Sequence, residues 1–364
     1  MFGFASALAL AMLVVATTTW HGRYSLDSHD GIQKLHTLPT PRVGGIPIAL
    51  SLVLVLPWLS VAERALHVPI LCAGIPAFLF GTAEDLTKRV GVIPRLLATM
   101  ASGLLACVLT GISLTRVDIF GFDALLAWAP VSMLFTAFAI GGIANSINIV
   151  DGLNGLAGST AFFAFTGLAL MAFSVGDEAL ADLAILFAMV TLGFFVVNWP
   201  LGKLFLGDGG AYFLGFALGW IAVLMVSRHS DISAFAVLLV CAHPVTEVLF
   251  SIYRRKMRHA HTGTADRLHF HSLIMRRCLK QWMHVRDETL ANSMAGILVS
   301  VATLIAATLA QFTMHSTLLS LIALVLMSLA YVSLYARIVR FRWCSPIKFL
   351  FVKPRFAREK ATVQ

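Results

Sequence analysis

An all-α, polytopic membrane fold with about eleven transmembrane helices is what this sequence predicts, on three observations. The 364 residues are 59% hydrophobic and only 12% charged, with a mean hydropathy of +0.86, a composition that water-soluble domains of this size do not normally show. Eleven apolar runs reach or approach the roughly 20 residues that a helix needs to cross a bilayer core. When these runs are threaded alternately, 24 of the 27 Lys and Arg residues fall on one side, and basic residues in short loops mark the cytoplasmic side.

In order, the runs cover about 1–20, 45–62, 67–83, 95–114, 127–145, 159–175, 180–197, 211–227, 233–252, 293–311 and 316–336. The basic side holds Arg23, Lys34, Arg42, Lys88, Arg89, Arg95 and Lys203, nine residues from Arg254 to Arg286, and eight from Arg337 onward. The other side keeps only Arg64, Arg116 and Arg228, beside the acids Glu63, Asp118, Asp123, Asp177, Glu178, Asp182 and Asp231. The N-terminus is therefore expected outside and the C-terminus in the cytoplasm. The first run lacks a basic leader and precedes further spans, so it reads as a retained helix.

With no internal repeat and no low-complexity linker, 1–336 reads as one membrane domain with cytoplasmic loops at 21–44, 84–95, 146–158, 198–210 and 253–292. Residues 337–364 read as a basic tail. Cys72, Cys107 and Cys241 lie within predicted helices, and Cys278 and Cys344 on the reducing side, so no disulfide framework is expected. The net charge of +9 is accounted for by topology and by attraction to anionic headgroups. Nucleic acid is excluded as a partner, because no basic stripe is interleaved with exposed aromatics.

Polar stretches carry the chemistry, since acids and amides are costly beside hydrocarbon and persist where they have work to do. Glu84 and Asp85 stand side by side where the third run ends, followed by Lys88, Arg89 and Arg95. Adjacent carboxylates suit a divalent metal or a general base, or simply stop a span. Asn145, Asn148, Asp151 and Asn154 recur every three residues, a spacing that aligns side chains on one helix face, either toward a ligand or as a packing ladder. Asn198 opens a stretch that delivers Asp208 within Gly-Asp-Gly-Gly before a helix. There a carboxylate can hold Mg²⁺ and free amides can face phosphate, or Asp208 can merely cap the helix. In the longest loop, Arg267, His269 and His271 follow Arg254 and Arg255. No Cys or acid completes a zinc site, and clamping of a diphosphate suits this composition better than headgroup binding alone. Lys34, His36 and Arg42 flank a Pro-rich turn that leads into Gly44 and Gly45.

In this order and at these spacings, from about Lys34 to Arg277, the stretches resemble the polyprenyl-phosphate N-acetylhexosamine-1-phosphate transferases, the superfamily that includes the phospho-MurNAc-pentapeptide translocase. The resemblance implies a multi-pass enzyme of the bacterial inner membrane, with its N-terminus in the periplasm. Such an enzyme moves a sugar 1-phosphate from a UDP-N-acetylhexosamine to undecaprenyl phosphate and releases UMP, with Mg²⁺, or Mn²⁺ in its place, as cofactor. It implies that Glu84 and Asp85 stand at the family's Asp pair as catalytic residues, that Asp208 is the metal-binding Asp with Asn148 as second ligand, and that Asp151 and Asn154 belong to the nucleotide pocket. His269 and His271 match the catalytic His motif, with Lys34, Lys88, Asn145, Asn198 and Arg267 as further substrate contacts, and the family leaves room for a homodimer. Glu84 departs from the usual Asp and Asn154 from an acid, while Gly209 and Ala211 replace hydroxyl residues. His-Phe-His in place of three histidines, and Leu38 in place of a Lys, point away from the peptidoglycan branch and toward O-antigen, capsule or exopolysaccharide initiation. The competing classes are a translocase-type activity in peptidoglycan synthesis and a membrane transporter. A transporter predicts acids at mid-bilayer depth, where only Glu247 stands.

Overall fold

The computed structural model describes residues 1–27, 39–257 and 268–340. Lys34, His36, Leu38, Arg267, Cys344 and the tail beyond residue 340 lie outside the described residues. Among the latter, α1 (Phe2–Ala16) meets α2 (Thr18–Ser25) at an 84° bend. A short antiparallel pair follows, β1 (Leu26–Asp27) with β2 (Thr40–Pro41), before α3 (Gly45–Leu54), α4 (Val61–Thr87) and α5 (Val92–Thr110). Next come the short α6 (Phe122–Leu126) and then α7 (Ala129–Val150), α8 (Leu156–Ser174), α9 (Glu178–Asn198) and α10 (Gly207–Arg228). The chain ends in α11 (Ala234–Val240), α12 (Ala242–Met257), α13 (Phe270–Leu273), a π-helical stretch over Ile274–Trp282, α14 (Glu288–Thr313) and α15 (Thr317–Val339).

The protein is a multi-pass membrane protein of the all-α class, with one short strand pair, but its spans are less uniform than eleven equal runs. Eight helices, α4, α5, α7, α8, α9, α10, α14 and α15, are each long and apolar enough to cross a membrane, and two bent pairs bring the number to ten among the described residues. The run expected at 45–62 is only α3 followed by a 3₁₀ turn at Leu56–Trp58. Pro57 shapes that turn, and a capping box of Ser60 and Glu63 restarts the chain as α4. The run expected at 233–252 breaks by 81° between α11 and α12, just ahead of Pro244, whose missing N–H fits only a first helical turn. At the first bend, the hydroxyls of Thr17 and Thr18 donate to carbonyls of the preceding turn, a contact that competes with the backbone ladder.

At the centre stands α10, buried along its whole apolar window. A helix without a lipid or water face must be apolar all round, and the sequence from Ala211 to Val226 is so. Small residues let its neighbours close in. Gly215 sits against Ala144 of α7, and Gly74 of α4 against Phe213. Two prolines, Pro69 and Pro76, interrupt the ladder of α4; the Ala77 amide donates instead to Ser102 Oγ of α5 at 3.0 Å, the repair that a membrane helix requires.

The C-terminal end of α10 is tied down by charge. Arg116 donates to the carbonyls of His229 and Ile232 at 2.9 and 2.7 Å while pairing with Asp118 at 2.5 Å. Arg228 donates to both oxygens of Asp177, which also caps α9 through the Leu180 amide and meets His229 at 2.9 Å. Burial opposes the charged form of Asp177, but the hydrogen bonds from Arg228 and His229 outweigh it and hold the carboxyl below its ordinary value of 3.8. A depressed folded-state value means that the stabilisation is complete above pH 3.8 and is lost as pH falls through the folded value. Thermal melts taken from pH 7 downward should therefore show a steeper acid loss for the wild type than for Asp177→Asn, which lacks this contribution at every pH.

Candidate active site

The opposite end of α10 gathers the predicted acids. The chain from residue 39 onward is laced to the residues before α10: Phe205 N donates to Pro41 O at 2.9 Å, Gly44 N to Phe205 O at 2.9 Å and Gly45 N to Leu206 O at 3.0 Å. This lacing brings Arg42 within reach of a residue 166 positions away, its Nη2 standing 2.6 Å from Asp208 Oδ1. Arg95, in the first turn of α5, donates to Asp208 Oδ2 and lies 5.9 Å from the Tyr212 ring centroid. Asn148, near the end of α7, donates its Nδ2 to Asp208 Oδ1 at 3.0 Å. Asp208 is buried, and three other elements converge on its carboxylate.

Asp85 does a different job from its neighbour. Its two oxygens accept the Asp208 and Gly209 amides at 2.9 Å each, so a carboxylate from α4 caps α10 and offsets the positive end of that helix. Those amides, expected to face phosphate, are engaged by Asp85 in this structure. Arg42 Nε stands 3.3 Å from Asp85 Oδ1 and thereby bridges the two acids. Glu84 points elsewhere, its Oε2 accepting the Val90 N–H at 2.8 Å in the turn after α4. Residues adjacent on a helix diverge by about 100°, so the expected carboxylate pair is divided between two tasks. Lys88, exposed at the end of α4, takes a left-handed φ of 56°.

The Asn ladder is likewise divided. Asn145 and Asn148 lie half-buried on α7, which stops at Val150, so Asp151 and Asn154 fall in the following turn. Asp151 is near enough to Arg42 and the Gly207 amide to feel both; burial nonetheless pushes its carboxyl up to about 6. Asn154 faces α14 instead, its amide N donating to Asn292 Oδ1 at 2.6 Å and its Nδ2 to Ser293 Oγ at 3.2 Å. Asn198 accepts from Gly155 N at 2.6 Å and donates to Leu204 O at 2.8 Å. Both side chains, expected as substrate contacts, serve here as braces, Asn154 against α14 and Asn198 between Gly155 and Leu204. Asn198→Ala strands a buried donor and a buried acceptor, each costing about 1–3 kcal/mol. Thermal unfolding should show that loss, while the KM of active protein stays within about twofold of wild type.

The histidine loop has its own mount. His269 Nδ1 lies 2.8 Å from Glu247 Oε1, and the His269 and His271 rings stack at 5.5 Å between centroids. His271 is buried against Gly152, beside Asp151; a Cβ on that glycine would stand 2.4 Å from His271 Nε2. Arg254, expected in a cationic clamp, is buried and donates to Leu268 O and Tyr335 OH, both at 2.6 Å. It fastens the loop to α15.

This arrangement can grip and neutralise phosphates at the edge of an apolar bundle. Asp208, Asn148 and Asp151 offer hard oxygen donors. No three of His, Cys, Asp and Glu among the described residues form a closed metal cage, and Mg²⁺ needs none, since it takes one or two carboxylates together with substrate phosphates and water. The donor set fits that ion.

The family model for glycosyl transferase family 4 matches residues 67–226, from α4 through α10, and so spans the elements that supply Asp85, Arg95, Asn148 and Asp208. Over that stretch the chain is similar to glycosyl transferase family 4. Its relatives include the probable undecaprenyl-phosphate N-acetylglucosaminyl 1-phosphate transferase of Bacillus subtilis (strain 168), 25% identical over 259 residues and 70% of each chain. The undecaprenyl-phosphate alpha-N-acetylglucosaminyl 1-phosphate transferase of Escherichia coli (strain K12) is 26% identical over 262 residues, again 70% of each. That of Yersinia pestis is 25% identical over 251 residues, 67% of this chain and 68% of its own. In this chain Arg42 and Arg95 join the candidate site although neither stood out among the candidates. The one available signal was position, Arg42 just before Val43-Gly44-Gly45 and Arg95 just after Pro94, each at the start of a helix.

Proposed function

We propose that this protein transfers an N-acetylhexosamine 1-phosphate from a UDP-sugar to undecaprenyl phosphate, releasing UMP, on the cytoplasmic face of a bacterial inner membrane. The product is the lipid diphosphate sugar with which an O-antigen, capsule or exopolysaccharide begins. The observation that carries this reading is the Asp208 carboxylate held by Arg42, Arg95 and Asn148 at the head of α10, in a chain whose relatives are named for this chemistry. Sidedness rests on the distribution of basic residues read from the sequence.

Phosphoryl transfer asks a protein chiefly for alignment and charge neutralisation. Asp208 and Asn148 would hold Mg²⁺, which when bound neutralises diphosphate charge and polarises the bond to be broken. Arg42 and Arg95 can turn from Asp208 to phosphate oxygens, because each guanidinium carries more donors than one carboxylate uses. Asp85 keeps α10 in place and positions rather than deprotonates. His269 and His271, with Arg267 and Lys34, offset the charge that gathers on departing UMP.

The test is UMP release by purified protein given undecaprenyl phosphate, Mg²⁺ and, in turn, UDP-GlcNAc, UDP-GalNAc and their 6-deoxy relatives. Release that depends on lipid and metal with one donor is the expected result. Folded protein silent with every donor would overturn the reading. Release only with UDP-MurNAc-pentapeptide would move the protein to the peptidoglycan branch.

A further inference from the structure

Glu247 lies well inside the predicted apolar run at 233–252. It is 1% exposed, and a buried carboxylate persists only when paired and hydrogen-bonded. Its bonds run to two separate elements. Oε1 accepts from His269 Nδ1 at 2.8 Å and from the Phe270 amide at 3.3 Å, at the start of α13, while Oε2 accepts from Tyr331 OH of α15 at 2.7 Å. The Phe270 amide fixes the backbone beside His269, and the side chain bond fixes the ring. Tyr331 fixes the carboxylate itself. Phe250 and Phe270 pack on the Tyr331 ring at 5.8 and 5.0 Å between centroids, so the phenol has little freedom to turn.

A carboxylate on Nδ1 sets which ring nitrogen carries the proton and which way the other one points. We propose that Glu247 is a positioning residue for the transfer: held by Tyr331, it fixes the His269 imidazole so that Nε2 meets the diphosphate in one tautomer and one direction. The proposal rests on the transferase reading and adds to it a residue that makes no contact with Asp208. It also gives α15 a task. Although most of its surface faces outward, the helix carries Tyr331, which holds Glu247, and Tyr335, which anchors the histidine loop at Leu268 O.

The experiment is a double-mutant cycle on full-length protein, with UMP release measured for wild type, Glu247→Gln, His269→Asn and the double variant, and thermal melting measured beside it. Glu247→Gln should lower kcat about 100-fold, as loss of a carboxylate that orients a catalytic imidazole does, with donor KM within about threefold of wild type. In the His269→Asn background the same change should cost less than about twofold. Tyr331→Phe keeps the carboxylate and should give a smaller loss, again only when His269 is present; it carries the test if Glu247→Gln fails to fold. Equal losses in both backgrounds, or a kcat that simply follows the melting temperature, would overturn the positioning role and leave the transferase reading standing. Wild-type protein inactive with every donor would remove that reading, and this role with it.

Discussion

UMP release is expected to fall about a thousandfold in Asp208→Asn, the range seen when a preorganised charge at a phosphoryl or oxyanion site is removed. The substitution preserves shape. It removes the one negative charge on which Arg42, Arg95 and Asn148 converge, and with it the hard anionic donor that Mg²⁺ prefers. Arg42 keeps a partner in Asp85 at 3.3 Å, so the fold should survive, and the thermal midpoint should stay close to that of wild type. Asp85→Asn makes the contrast. An amide can accept from the Asp208 and Gly209 N–H groups with one oxygen where the carboxylate uses two, so that variant should lose stability as well as rate. Near-wild-type turnover by folded Asp208→Asn would remove Asp208 from the phosphate-binding role.

Gly81→Ala and Gly45→Ala are expected to cost both stability and rate without touching a charged group. A Cβ at Gly81 would stand 2.6 Å from both the Cα and the N of Gly209, and one at Gly45 would stand 2.4 Å from Gly210 N. Both obstacles are backbone, which cannot swing aside, so α4 or α3 must retreat from the head of α10 by close to 1 Å. Overpacking of this kind costs about 1–3 kcal/mol, and a displacement of ~1 Å at reacting groups costs about 100-fold in rate. Gly142→Ala is the control, since a Cβ there meets nothing within 4 Å and Ala favours a helix by about 1 kcal/mol. The measurements are UMP release and thermal melting, and wild-type values for Gly81→Ala would mean that α10 is not held as closely as described.

Much of the candidate site could be read in the sequence because polar groups stand out against hydrocarbon; Asp208, Asn148, Asp85, His269 and His271 stood out that way. What stayed hidden is direction and partnership. Glu84 and Asp85 are neighbours in sequence, yet a helix turns them apart, one to the Val90 amide and the other to the head of α10. Asn154 and Asn198 carry the same side chain as Asn148, and nothing in an amide says whether it meets a ligand or a loop. Arg42 needed the lacing at Phe205 and Leu206 before its reach could be known. The apolar runs were also legible, while the bends near Thr17 and Cys241 were not, because hydropathy counts apolar residues without recording where the axis points. Pro244 was the local signal for the second bend.

Helix α10 is gripped at both ends, by Asp85 at its head and by Arg116 at its tail, and it has no face toward lipid. A membrane thicker or thinner than the protein therefore cannot be met by tilting this helix. The adjustment falls to outer helices such as α15, where only 17% of the apolar window is buried, and tilt there is a modest cost per ångström of mismatch. The geometry at the head of α10 is in this way insulated from the solvent in which it sits. Vesicles made from lipids of different acyl length should change how readily the lipid substrate arrives, and leave the arrangement around Asp208 as it is.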